Sequence, residues 1–359
     1  MQKDDTKKEI IVFADGLGNC GVQRVLSELT VSWANMGHKV TIAYMKENED
    51  RSDFEWSDKV RLIGIPVHYH GGLRYLRLAL SYVRILRRRK NAVAVSLSVA
   101  TNFAIGAAAP FVSNKIIISD RNDPTERPKG KIKQFFRNLA FKQADVLILQ
   151  TDDVRKYYIE KIKKDGVVIP NPINRKLPDP YIGERRKTIV TASRLNKQKN
   201  LKLLIDAFSM IHEEYPEYIL EIFGRGEEEE SLKRYVSELN LKNSILLKGF
   251  STDIYNDIND ASMYVCSSDY EGISNSLLEA LGLGIPTIST DCPVGGSRLL
   301  ISHKENGMLV PIKDVTALHQ SMKLLIECPE VAHQLSKKAV EVRDLYDIDR
   351  ISRMWLDNM

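Results

Sequence analysis

The chain has 359 residues, 43% of them hydrophobic and 28% charged, with a net charge of +5. That length exceeds what one ordinary core encloses, so two domains are expected, and the composition is that of a folded globular protein, not a disordered or fibrous one. No run of about 18 uninterrupted apolar residues occurs, so no transmembrane helix is expected, and Cys20, Cys266, Cys292 and Cys328 show no CxxC spacing and read as reduced thiols.

The chain opens on MQKDDTKK, a polar stretch without a hydrophobic signal segment, which predicts a cytoplasmic protein. EIIVFAD (9–15) then reads as a buried parallel strand, and Val22, Val25, Leu26, Leu29 and Trp33 mark one face of a helix over 22–37, with Gly37 as its stop. Between them GLGNCG (16–21) spells G-x-G-x-x-G in a strand-to-helix context. A dinucleotide site also needs an acid at the end of the second strand, KVTIAY (39–44), but Glu47 arrives late. The loop therefore reads as an NAD(P) site, as a loop admitting another sugar or phosphate, or as a structural turn.

Further strands are predicted at 60–65, 92–97, 115–119 and 145–150. LRYLRLALSYVRILRRRK (73–90) is a basic amphipathic helix that could lie on an anionic bilayer or serve as an ordinary domain helix; no recognised nucleic-acid motif accompanies it. His68 and His70 spell HxH but lack further ligands, and Asp347-x-Asp349 lies in the helical tail, so neither predicts a metal site.

Four prolines between Pro170 and Pro180 mark a linker, after which the β/α alternation restarts at 188–193, 218–224, 244–249, 263–268 and 286–290, followed by a helical tail at 315–357. The expected organisation is an N-terminal domain at 1–168, a linker at 169–187, a second domain at 188–340 and a C-terminal helix at 341–359 that packs back on the first. Such alternation implies an α/β fold of two doubly wound Rossmann-like domains facing a cleft, with ligands at the carboxyl ends of the strands.

The second domain carries three segments of interest. SRLNKQKN puts Arg194 and Lys199 between a strand and a helix, the makings of a diphosphate clamp or of a solvated basic loop. IFGRG ends a strand in Gly224 and Gly226, which would admit a base or ribose, while Glu227 to Glu230 suit a helix start. DYEGISNSLLEALG sets Glu271 on the accessible rim at a strand's end, Ser274 or Asn275 as helix cap, and Glu279 inside the helix, where it could accept from a ribose diol.

Charge is unevenly divided. Residues 1–180 hold 31 basic and 20 acidic residues, a net of +11, while residues 181–359 hold 21 and 27, a net of −6. From Lys59 to Ser119 there is no acid, yet there are ten basic residues, so the N-terminal half is expected to meet something anionic.

Taken together, NCGVQRVLSEL, ISDRNDP (118–124), SRLNKQKNLKLLIDAF and EGISNSLLEALGLGIPTISTDCPVGGSRLLI resemble the motifs of glycosyltransferase family 4, retaining nucleotide-sugar transferases of GT-B fold. The resemblance implies that Arg194 and Lys199 bind the donor diphosphate and serve catalysis with Glu271. It implies that Glu271 also contacts the donor sugar, that Gly272, Ile273 and Ser274 wrap sugar and phosphates, and that Glu279 holds the ribose; Gly224 and Asn275 complete the donor set. Gly18 and Gly21, with Asp120 and Arg121, would border the acceptor or phosphate. Many members carry histidine where this chain has Asp120-Arg121. The implied reaction moves a hexose or N-acetylhexosamine from a UDP-sugar, without cofactor or metal, to a glycan or polyprenyl-diphosphate-linked acceptor in cell-surface polysaccharide synthesis, at the inner membrane face. A nucleotide-sugar epimerase and an NAD(P)-dependent oxidoreductase are the alternatives.

Overall fold

The protein is described by a computed structural model covering residues 7–18, 21–46, 56–67 and 72–359. The HxH pair, Cys20 and Glu47 lie outside the described residues. The chain forms two compact units, residues 1–172 with Ile348–Met359, and Ile173–Asp347.

The first unit is built on a parallel seven-stranded sheet. Its strands are β1 (Glu9–Ala14), β2 (Lys39–Lys46), β3 (Val60–Pro66), β4 (Val93–Ser96), β5 (Ile116–Ser119), β6 (Val146–Leu149) and β7 (Val167–Val168), in the order β3-β2-β1-β4-β5-β6-β7. Central strands such as β1 and β4 are buried almost throughout, which is why they read as unbroken apolar runs and not as alternating ones. The helices α1 (Gly21–Asn35), α2 (Gly72–Arg87), α3 (Val99–Ala108), α4 (Lys131–Lys142) and α5 (Asp152–Ile162) connect them. Helix α1 stops two residues before Gly37, whose φ of +89° a β-carbon would resist. Helix α2 ends at Arg87, earlier than the sequence pattern suggested. Beyond it, Arg89 turns inward to donate to Thr41 Oγ1 at 3.1 Å and to pair with Glu9 at 3.8 Å.

The second unit carries six parallel strands. These are β8 (Arg186–Ala192), β9 (Ile219–Phe223), β10 (Ile245–Gly249), β11 (Ala261–Cys266), β12 (Thr287–Thr290) and β13 (Met308–Val310), ordered β10-β9-β8-β11-β12-β13. Its helices are α6 (Leu201–Glu214), α7 (Glu229–Glu238), α8 (Ile254–Ile258), α9 (Asn275–Gly282), α10 (Gly296–Leu300), α11 (Val315–Glu327), α12 (Pro329–Ala339) and α13 (Val342–Leu345).

The last helix, α14 (Ile348–Leu356), belongs to the first unit, where Ile348, Ile351 and Trp355 join the core beside α1. The Trp33 and Trp355 rings are 5.9 Å apart, and Trp33 Nε1 donates to the Ser352 carbonyl at 3.3 Å. Lys8 donates to the carbonyls of Leu356 and Met359, both at 2.9 Å, placing a cation where the helix dipole is negative. Asp349 accepts from Ser32 Oγ at 3.1 Å, a packing contact within this unit.

Candidate functional site

In each sheet the first strand has its successor on one side and a later strand on the other. That reversal opens a crevice beyond the carboxyl ends of β8 and β11 in the second unit, and beyond those of β1 and β4 in the first.

The loop after β8 carries Arg194 and Lys199; the loop after β11 carries Glu271. Hydrogen bonds staple the two loops together. Asp269 N–H donates to the Gln198 carbonyl at 2.9 Å, Gln198 Nε2 to the Tyr270 carbonyl at 2.9 Å, and Ser267 Oγ to the Lys199 carbonyl at 2.9 Å. Asn200 Nδ2 adds a bond to Asp269 at 2.8 Å. This brings the Lys199 ammonium onto the Glu271 carboxylate, which also accepts from Ser268 Oγ at 3.0 Å. Glu271 is only 9% exposed, so the sequence expectation of an accessible rim carboxylate is corrected: Lys199 and Ser268 enclose it. For Lys199, burial works against the charged form, but the Glu271 carboxylate, the Cys266 sulfur and the hydrogen bond outweigh it, and the pKa is raised. Arg194 stays exposed on the same loop, close enough for its charge to oppose that of Lys199.

Backbone packing fixes these loops. Gly224, at φ +129°, lies so close to Ser193 that a β-carbon would come within 1.8 Å of its carbonyl oxygen. Gly224 thus supports the chain that presents Arg194, which is a packing reason for a glycine that sequence alone read as a ligand approach. On the other side Gly296 abuts Gly272, and a β-carbon there would meet the Gly272 oxygen at 1.7 Å. Thr290 Oγ1 donates to the Ser268 carbonyl at 2.6 Å and Cys292 Sγ to the same oxygen at 3.1 Å. Burial pushes the Cys292 thiol pKa up, and Cys266, Cys292 and Cys328 are all free thiols.

Helix α9 follows directly. Ser274 is its cap, accepting from Leu277 N–H at 3.4 Å, and Gly272, Ile273 and Ser274 are buried in the turn before it. Asn275 begins the helix, and Glu279 is 8% exposed one turn further on, near the Tyr264 hydroxyl. The second unit therefore groups a cation pair, a buried carboxylate and a helix N-terminus around the ends of β8 and β11, an arrangement that favours a bound diphosphate.

In the first unit, Gly18 follows β1 and Gly21 begins α1. A β-carbon on Gly16 or Gly18 would meet nothing within 4 Å, so both border open space. Asp120 and Arg121, expected beside an acceptor, are turned into the unit. Asp120 accepts from the Tyr158 hydroxyl and is 5% exposed. Arg121 donates to Asn171 Oδ1 at 2.9 Å and lies 5.2 Å from the Trp355 ring centre; burial brings its pKa down to about 9.

The group that sequence reasoning missed is Asp15, the residue after β1. One of its oxygens is buried and without a hydrogen-bond partner among the described residues. Burial raises its pKa, while Ser98, Arg74 and the Thr101 backbone act in the opposite direction. Ser98 follows β4, so the cluster sits at the crevice of the first sheet. Its signal was an aspartate at a strand's carboxyl end, immediately before a glycine loop. Because the raised pKa makes the ionised form costly above the ordinary carboxylate range, Asp15→Asn is expected to raise the unfolding midpoint at pH 7 while lowering transfer activity. A lowered midpoint with unchanged activity would give Asp15 a purely structural role; differential scanning fluorimetry with a turnover assay decides.

Among the described residues no cluster of three or more His, Cys, Asp or Glu side chains is arranged to hold a metal ion. No helix there is long and apolar enough to cross a membrane. The profile described as "Glycosyltransferase Family 4" matches residues 20–177, and that described as "Glycosyl transferases group 1" matches residues 174–342. The chain belongs to glycosyltransferase family 4. An uncharacterized glycosyltransferase of Haemophilus influenzae is 28% identical over 62% of this chain and 64% of its own length. The N-acetylgalactosamine-N,N'-diacetylbacillosaminyl-diphospho-undecaprenol 4-alpha-N-acetylgalactosaminyltransferase of Campylobacter jejuni is 27% identical over 62% of each chain. Each match thus spans just under two thirds of the relative. In fold, the glycosyltransferase is similar to Anabaena Alr3699/HepE, solved in complex with UDP, at a TM-score of 0.82 and 16% identity over 98% of this chain and 99% of that one. The two α/β units are those of a GT-B glycosyltransferase.

Proposed function

We propose that this glycosyltransferase retains anomeric configuration while moving a hexose or N-acetylhexosamine from a UDP-sugar to a glycan or polyprenyl-diphosphate-linked acceptor in cell-surface polysaccharide synthesis, at the inner face of the membrane. The observation that carries the reading is the enclosed Lys199–Glu271 pair beside Arg194 at the ends of β8 and β11. Arg194 and Lys199 take the diphosphate, Glu271 the donor sugar and Glu279 the ribose, with the amides of residues 272–274 around sugar and phosphate. In a front-face displacement the bond from the anomeric carbon to the diphosphate oxygen breaks as the acceptor oxygen bonds to that carbon. The acceptor proton passes to the leaving diphosphate, whose growing charge the two cations stabilise. The UDP complex of the Anabaena neighbour supports the nucleotide, and the diphospho-undecaprenol in the Campylobacter relative's name supports the acceptor class. The excess of base over acid in residues 1–180 supports an anionic acceptor surface.

The test is a panel of UDP-, GDP- and ADP-sugars offered with polyprenyl-diphosphate-linked glycans in EDTA, the product anomer being assigned by proton NMR. UDP-sugar turnover in EDTA with an α-linked product from an α-linked donor is expected. An inverted product, or turnover only after a divalent ion is restored, would contradict the mechanism. Epimerised donor without transfer would favour the epimerase.

A further inference from the structure

Helix α4 presents its apolar stripe to solvent. Ile132, Phe135, Phe136 and Leu139 are 75%, 64%, 53% and 47% exposed, and their spacing of i, i+3, i+4 and i+7 puts them on one helix face. A domain helix normally turns such a stripe onto its sheet. Here the inward face is Arg137, Ala140 and Phe141. The orientation is locked: Ala140 fits against Gly106 of α3 so closely that a β-carbon on the glycine would come within 2.4 Å. Buried Arg137 donates to the Pro124 and Arg127 carbonyls and, at 2.9 Å, to the Tyr157 hydroxyl.

Helix α2 repeats the pattern. Leu73, Leu76 and Leu80 are exposed, while Leu78, Ala79, Tyr82 and Leu86 face inward. Helix α3 packs against both α2 and α4. Phe111, 60% exposed just after α3, is tied to the end of α2 by Arg87 Nε donating to its carbonyl at 3.1 Å. None of the three helices contains an acidic residue, and Arg77, Arg84, Lys131, Lys133 and Lys142 are exposed on them.

We propose that this helix layer inserts into an anionic bilayer, with Phe135 and Phe136 entering the boundary between headgroups and acyl chains and the lysines and arginines binding lipid phosphates. Charge selects this occupant: a second copy would set one acid-free basic face against another, whereas an anionic leaflet complements both the cations and the apolar ridge. The proposal deepens the membrane part of the proposed function, and it is scored without donor or acceptor, so its outcome is independent of catalysis.

The test is co-sedimentation of the full chain with vesicles of phosphatidylcholine alone and of an equal mixture of phosphatidylcholine and phosphatidylglycerol. Wild type is expected to bind the anionic vesicles, more weakly as salt rises. Phe135→Ser/Phe136→Ser should weaken binding by about tenfold per ring, roughly a hundredfold together. Lys131→Ser/Lys133→Ser should reduce the preference for anionic lipid, and Ile182→Ser, in the other unit, should bind as wild type. Unfolding midpoints of all variants should match, since these side chains are exposed. Vesicle binding unaltered by the phenylalanine pair would overturn the proposal. So would self-association in sedimentation velocity that the same pair abolishes, without vesicle binding, because it would assign the ridge to a second copy.

Discussion

Replacing Glu271 with glutamine is expected to abolish sugar transfer and to lower the unfolding midpoint together. Removing one partner of a buried ion pair costs about 3–5 kcal/mol, and the glutamine amide oxygen still accepts from Lys199, so about 3 kcal/mol is expected. For a unit of this size each kcal/mol shifts the midpoint by roughly 2–4 °C, giving a fall of roughly 6–12 °C. The proposed contact of Glu271 with the donor sugar predicts that its loss lowers turnover by about 10²–10³-fold. Lys199→Met should behave alike. The double variant Lys199→Met/Glu271→Gln separates the two effects: with no uncompensated charge left, stability should return toward wild type while activity stays lost. Because the Lys199 pKa lies above its ordinary 10.5, the pair's stabilising contribution is complete below that value and is lost only as pH climbs through the raised one. Stability across pH 6–9 should therefore owe no slope to this lysine. Turnover of Glu271→Gln within about threefold of wild type, about 0.65 kcal/mol in barrier, would remove Glu271 from the site.

Gly296→Ala is the second large effect expected. The new methyl would meet the Gly272 oxygen at 1.7 Å, its carbon at 2.6 Å and the Ile273 nitrogen at 3.3 Å, all backbone atoms that cannot swing aside. Either α10 or the turn after Glu271 must shift. Overpacking of this kind costs about 1–3 kcal/mol, and a displacement near 1 Å at the reacting centre can cost about 10²-fold in rate. Gly249→Ala is the control. Gly249 has φ +71° with nothing within 4 Å, so it should lose about 1–2 kcal/mol of backbone preference and keep its activity. Thermal unfolding and donor turnover of both variants check this; wild-type turnover in Gly296→Ala would show that the turn does not hold the site.

Most of the fold was legible because parallel strands covered on both faces leave unbroken apolar runs. Among the described residues, eleven of the thirteen strands stand where the sequence predicted them. The other two, Val167–Val168 and Met308–Val310, are too short to leave a periodic signal, and the first lies immediately before the proline-rich stretch. Lys199 and Glu271 were legible as residue types at strand ends, but not as partners, since the pairing depends on β8 lying beside β11. Asp120 and Arg121 followed a strand too, yet Tyr158, Asn171 and Trp355, distant in sequence, draw them inward. The outward direction of the α4 stripe depends on Gly106 meeting Ala140 and on Arg137 finding carbonyls, which residue spacing does not encode. Gly224 is ambiguous in sequence for a related reason: a glycine that admits a ligand and one that admits a neighbouring carbonyl look alike in one sequence.

The most direct measurement of the central claim, that the ends of β8 and β11 hold a nucleotide diphosphate through Lys199, is isothermal titration of UDP into wild type and Lys199→Met. Losing a charge-assisted contact costs about 1.5–3 kcal/mol, so UDP should bind wild type and bind the variant at least about tenfold more weakly, with the variant still folded in its circular dichroism spectrum. Equal affinity in the two proteins, or no binding of UDP, GDP or ADP to wild type, would contradict the account.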